Sequence, residues 1–126
     1  MINRQKFNET FRCFDKDVIV EIIDIYTAEY PDRCLLLDRH CMSRNYRELS
    51  RAAHSFKGVL ASFLAVEAQQ YARELEELSD KLANGRIQDA LPLEALHGDV
   101  EKLVSQLKIT SGQVKEELQE IRNSYL

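Results

Sequence analysis

The sequence predicts an all-α protein. Apolar residues recur three and four positions apart along most of the chain, the spacing of a helix with one buried face. Four glycines and two prolines in 126 residues leave little material for turns, which favours a few long helices over many short strands. The length suits one domain, taken as residues 1–126 with a core at about 10–110.

The elements follow in order. Residues 2–13 form a short amphipathic stretch marked by Ile2, Phe7 and Phe11, with Phe14 just beyond. Asp15 or Asp17 can cap a second helix that carries Val18, Ile22, Ile25 and Tyr26. Pro31 interrupts that helix, and the apolar pattern resumes at Cys34, Leu35 and Leu37, a kink or restart rather than a boundary. Met42 to Asn45 reads as a connection, with Ser43 a candidate N-cap. From Leu49 through Ala53, Phe56, Leu60 and Phe63 to Leu64, Ala68, Leu75, Leu78 and Leu82 the stripe is nearly unbroken, so periodicity alone permits one helix over about 45–83. Asn84-Gly85 is a stop. The last helix begins near Pro92 and carries Leu96, Val100, Leu103, Leu107, Val114, Leu118 and Ile121, weakened locally at Gly98 and Ser111-Gly112.

Composition excludes several classes. Seventeen basic against 21 acidic residues give a net charge of −4, which offers no electrostatic reason to bind nucleic acid. No apolar run approaches the roughly 18 residues of a membrane span. The N-terminal stretch lacks the apolar core of a signal peptide. Cys13, Cys34 and Cys41 are odd in number and without CxxC spacing, as expected of reduced thiols in the cytoplasm.

The chemistry concentrates in Ala52-Ala53-His54-Ser55-Phe56-Lys57-Gly58. On a helix, residues three and four apart share a face. An imidazole therefore has an ammonium within reach and a bare backbone beside it. At 100° per residue, Arg47, Ser50, Arg51, Gly58, Ala61, Ser62 and Ala65 fall within roughly 60° of His54. None is large and apolar, whereas Leu49, Phe56, Leu60 and Phe63 lie on the other side. His54 is thus expected at the centre of an exposed stripe. Lys57 and Arg51 flank it as candidates to pair with phosphoryl oxygens.

The pattern His54, two variable residues, Lys57 and Gly58 resembles the histidine phosphotransfer (HPt) domain of multistep two-component phosphorelays. The resemblance extends to the helical layout. It implies an antiparallel four-helix bundle with an additional short N-terminal helix, and hence a break near Leu64 to Val66. It also implies that His54 accepts a phosphoryl group from a receiver-domain aspartate and passes it on, with Lys57 stabilising the group. Arg47, Ser50, Gly58, Ala61, Ser62 and Ala65 then form a receiver-docking face, and the role of Arg51 is inferred from position. Such a domain is a carrier, not an enzyme, and has no cofactor or metal of its own; Mg²⁺ belongs to the partner receiver. Response-regulator receivers are the expected partners, with a hybrid sensor histidine kinase as another candidate, and the carrier is expected to be monomeric. The sequence departs from the family at Val59, Leu60 and Leu64, where small residues and a second glycine are usual.

Two other readings compete. One is an HPt-like module that docks a partner without phosphotransfer. The other is a metal-binding four-helix bundle, suggested by the Glu-x-x-His spacing of Glu94 and His97. Only one copy of that motif exists, and His40, Cys41 and Cys34 make no convincing ligand set. Glu74, Glu76, Glu77 and Asp80 read as the solvated face of their helix.

Overall fold

A computed structural model describes residues 2–85 and 93–126. Among them are five helices and no strand: α1 (Arg4–Thr10), α2 (Lys16–Met42), α3 (Tyr46–Ser62), α4 (Val66–Ala83) and α5 (Leu93–Ser124). Helices α2 to α5 pack in a ring, each against two others: α2 on α3 and α5, α4 on α3 and α5. This is the four-helix bundle with a short leading helix. Pro92, read as a first-turn residue of the last helix, lies outside the described residues.

The core follows the stripes, with corrections. Helix α3 buries Leu49, Ala53, Phe56 and Leu60, as its pattern predicts. Helix α2 turns Val18 and Ile25 outward, while Ile22 is half-buried against the core. Its inward face is Ile19, Ile23, Tyr26, Leu37 and Cys41, while Val18, Ile25 and Leu35 are exposed. Pro31 does not break α2, which runs unbroken from Lys16 to Met42. Because proline has no N–H, only one backbone bond is lost there. Helix α5 is also continuous. A side-chain carbon added at Gly112 would lie 2.9 Å from the Tyr30 hydroxyl oxygen. That glycine admits Tyr30, whose hydroxyl donates to the Lys108 carbonyl at 2.9 Å; Tyr26 likewise donates to the Ser111 carbonyl. Helix α1 lies across one end, with Phe7 fully buried and Phe11 packed near Phe63.

Two turns set the geometry of the bundle. At the end of α2, Ser43 is the C-cap rather than an N-cap, and the Asn45 side chain caps α3 by accepting from the Glu48 N–H. Arg44 there has φ +55°. At the end of α3, Leu64 has φ +60°, with Ala65 N–H bonded to the Leu60 carbonyl and Leu64 N–H to that of Ala61. Both ends close as Schellman motifs, with a residue in the left-handed region where glycine is usual. The apparent single helix over 45–83 is therefore two, broken at 63–65.

Leu64 is half-buried in this turn rather than part of a lengthened helix. Its stripe position suggests that Leu64→Gly costs burial, but its φ reverses part of that sum. Relief of left-handed strain is worth about 1 kcal/mol, against a similar loss of half a leucine's burial. Equilibrium unfolding of Leu64→Gly is expected to give a stability within about 1 kcal/mol of the parent.

Candidate functional site

His54 projects from the middle of α3 with 71% of its side chain exposed. The helix is split as its sequence requires. Phe56 and Ala53 point inward, while Arg47, Arg51, His54, Gly58 and Ser62 are exposed. Ser50 and Ala61 are half-buried on the same side. Ala65 is not on this surface: it is fully buried at the head of α4, because the turn at Leu64 folds it beneath the helix end. At Gly58 an added side-chain carbon would meet nothing within 4 Å, so its face is open.

The charge around the imidazole differs from the expected cationic cradle. Glu76, on α4, accepts from His54 Nδ1 at 2.6 Å. The same carboxylate takes two bonds from the Lys57 ammonium, at 3.1 and 2.8 Å. The group bonded to the ring is thus an anion, and Lys57 is tied to that anion. Arg51 turns away to Glu48, at 2.8 Å. Glu76 is only 17% exposed at its side chain, which removes it from the solvated acidic face to which its sequence assigns it; Glu74 and Glu77 do lie on that face. Burial opposes ionisation of the Glu76 carboxyl most strongly. The hydrogen bonds and charge of Lys57 and His54 together outweigh it, and the carboxyl is held below its ordinary value.

That balance fixes the tautomer. An ionised carboxylate can only accept, so the proton in the 2.6 Å bond sits on Nδ1. In the neutral ring Nε2 then keeps its lone pair and faces outward. The ring is oriented like a metal-ligating or nucleophilic histidine whose second nitrogen is held by a carboxylate.

Glu76 was hidden in the sequence by distance. It lies on the next helix, about as far after the 63–65 turn as His54 lies before it. An antiparallel hairpin brings the two level. The available signal was the position of Glu76 beside the buried Ala72, Leu75 and Ser79, at the edge of the α4 core face.

The other histidines are placed differently. His97 is buried, with Nδ1 2.8 Å from the Tyr46 hydroxyl. It lines a concavity of about 720 Å³ with Asp38, Arg44, Glu94 and Glu101, which does not include His54. Glu94 is paired with Arg44 at 2.9 Å. His40 is half-buried on α2. Among the described residues no group of three or more His, Cys, Asp or Glu side chains could hold a metal ion. None of the described helices is long and apolar enough to cross a membrane.

In a comparison with protein families, the family model described as Hpt domain matches residues 21–124. No curated protein and no solved structure matches the chain.

Proposed function

From the premise that the chain belongs to the Hpt domain family, we propose that it relays a phosphoryl group between receiver-domain aspartates through His54. The observation that carries this reading is the exposed imidazole with Nδ1 bonded to Glu76 and no partner at Nε2 among the described residues. In the forward step the Nε2 lone pair forms a bond to phosphorus. The bond from phosphorus to the aspartyl oxygen breaks, and its electron pair returns to the receiver carboxylate. The Nδ1 proton stays in place, and the ring gains positive character as the P–N bond forms. Glu76 lies where that charge develops and offsets it. Lys57 holds Glu76 in position and is the nearest cation for the phosphoryl oxygens. Transfer onward reverses these changes.

Docking uses the open side of α3. Arg47, Ser50, Gly58, Ala61 and Ser62 surround His54 there, and Arg51 adds a cation that a receiver can recruit from its exposed pair with Glu48. The partners are receiver domains and, upstream, a hybrid sensor kinase. The carrier acts as a cytoplasmic monomer without catalytic machinery of its own, and Mg²⁺ belongs to the receiver.

Incubation with a panel of phosphorylated receivers tests the proposal. At least one is expected to lose its phosphoryl group to the chain, giving an acid-labile, base-stable adduct. A chain that binds receivers but takes up no phosphoryl group from any of them would instead be a docking module.

Gly58 separates fold from function. It is mid-helix and open, so Gly58→Ala is expected to stabilise the bundle by up to about 1 kcal/mol. Gly58→Gln is expected to keep helicity and melting temperature while slowing transfer, because its side chain stands where the receiver approaches. Transfer at the parent rate would mean the glycine provides no docking clearance.

A further inference from the structure

The side of His54 away from Lys57 and Glu76 carries a second polar arrangement. Ser55 follows His54 on α3 and is exposed. Arg33 reaches it from α2, with one terminal nitrogen 3.2 Å from Ser55 Oγ. The guanidinium is well held. Its other terminal nitrogen donates to Glu29 at 3.0 Å, its plane sits over the Phe56 ring at 5.6 Å, and only 20% of the side chain is exposed. Arg33 Nε is buried with no hydrogen-bond partner among the described residues.

The direction of the Arg33–Ser55 bond is fixed, because a guanidinium has donors only. Ser55 Oγ accepts, so its own proton points elsewhere. Helical serine and threonine hydroxyls often donate back to the preceding turn. Ser62 does so to the Gly58 carbonyl at 3.1 Å, and Thr110 to that of Gln106 at 2.8 Å. Among the described residues Ser55 makes no such bond. Its hydroxyl is therefore an outward donor, polarised by a cation, next to the histidine.

Resting on the phosphotransfer reading, we infer that Ser55 donates a hydrogen bond to the phosphoryl group in transit, with Arg33 as the positioning residue that aims it. Lys57 and Ser55 then approach the group from opposite sides of the imidazole. The Ser55 proton stays on Oγ throughout, and no bond to Ser55 is made or broken. Arg33 itself remains on α2 beneath the site.

The test compares Ser55→Ala, Ser55→Thr, Arg33→Met and the Ser55→Ala/Arg33→Met double variant. Each receives phosphate from a receiver loaded with acetyl phosphate, at saturating receiver. Loss of one charge-assisted hydrogen bond is expected to slow transfer about tenfold in Ser55→Ala, with receiver affinity and melting temperature unchanged. Ser55→Thr keeps the hydroxyl and is expected to restore most of the rate. Arg33→Met is expected to slow transfer in the Ser55 parent but add nothing in the Ser55→Ala background, the non-additivity of residues acting through one bond. Parent rates in Ser55→Ala would overturn the inference while leaving His54 as acceptor. A change confined to receiver affinity or melting temperature would overturn it too, assigning Arg33 and Ser55 to docking or packing. No adduct even on the parent chain would overturn the phosphotransfer reading, and this inference with it.

Discussion

His54→Gln is expected to abolish phosphoryl labelling and leave the fold intact. The ring is largely exposed and outside the core, and glutamine can still donate to Glu76, so the substitution is expected to lower stability by no more than about 1 kcal/mol. Neither other histidine can take its place. His97 is buried, and its Nδ1 is engaged by Tyr46. His40 is half-buried and is followed by Ser43 and Arg44 where His54 has Lys57 and Gly58. Scintillation counting after incubation with a phosphorylated receiver is expected to give background signal for the variant, with a circular dichroism spectrum matching the parent. Labelling at the parent level would remove His54 from the reaction.

Glu76→Gln has the next largest expected effect, a reduction in transfer rate of about a hundredfold. The amide preserves shape and can still accept from Nδ1. It cannot offset the charge that develops on the ring, and it loses one of the two hydrogen bonds that the carboxylate accepts from Lys57. Lys57→Ala removes the ammonium that anchors Glu76 and faces the phosphoryl oxygens but leaves the Glu76 charge beside the ring, and it is expected to slow transfer less. The pH dependence follows from the same group. The Glu76 carboxyl in the folded chain lies below its ordinary value of 4.5: burial works against this, and the Lys57 and His54 contacts overcome it. A carboxyl with a lowered folded value stabilises the fold above the unfolded value, and that contribution is lost as pH falls through the folded one. Below about pH 4.5 the parent is therefore expected to lose a component of stability that Glu76→Gln lacks from the start. Urea unfolding of both proteins across that range measures the difference.

The parts of the site legible in the sequence are those carried by one helix. His54, Lys57 and Gly58 lie within five residues, and the polarity of α3 about its axis is strong enough to place Phe56 inside and His54 outside. Contacts between helices were not legible. Glu76 and Arg33 reach the site from α4 and α2, and local spacing cannot relate them to His54. The helix ends were obscured for a different reason. Arg44 and Leu64 occupy left-handed positions that glycine would have advertised; the connection at 42–45 was still legible, but the turn at 63–65 carries no turn signature. The break at 63–65 came from the family resemblance rather than from the periodicity. Ala65 was misplaced because a helical wheel extended past Ser62 continues an axis that the chain has already left.

The central claim is that His54 carries the phosphoryl group on Nε2 while Glu76 holds Nδ1. An NMR correlation between phosphorus and the imidazole nitrogens of the phosphorylated chain tests it most directly. The account predicts one phosphorus signal, coupled to Nε2 of His54, with the Nδ1 proton still present. Phosphorus coupled to Nδ1 of His54, or to either nitrogen of His40 or His97, would contradict it.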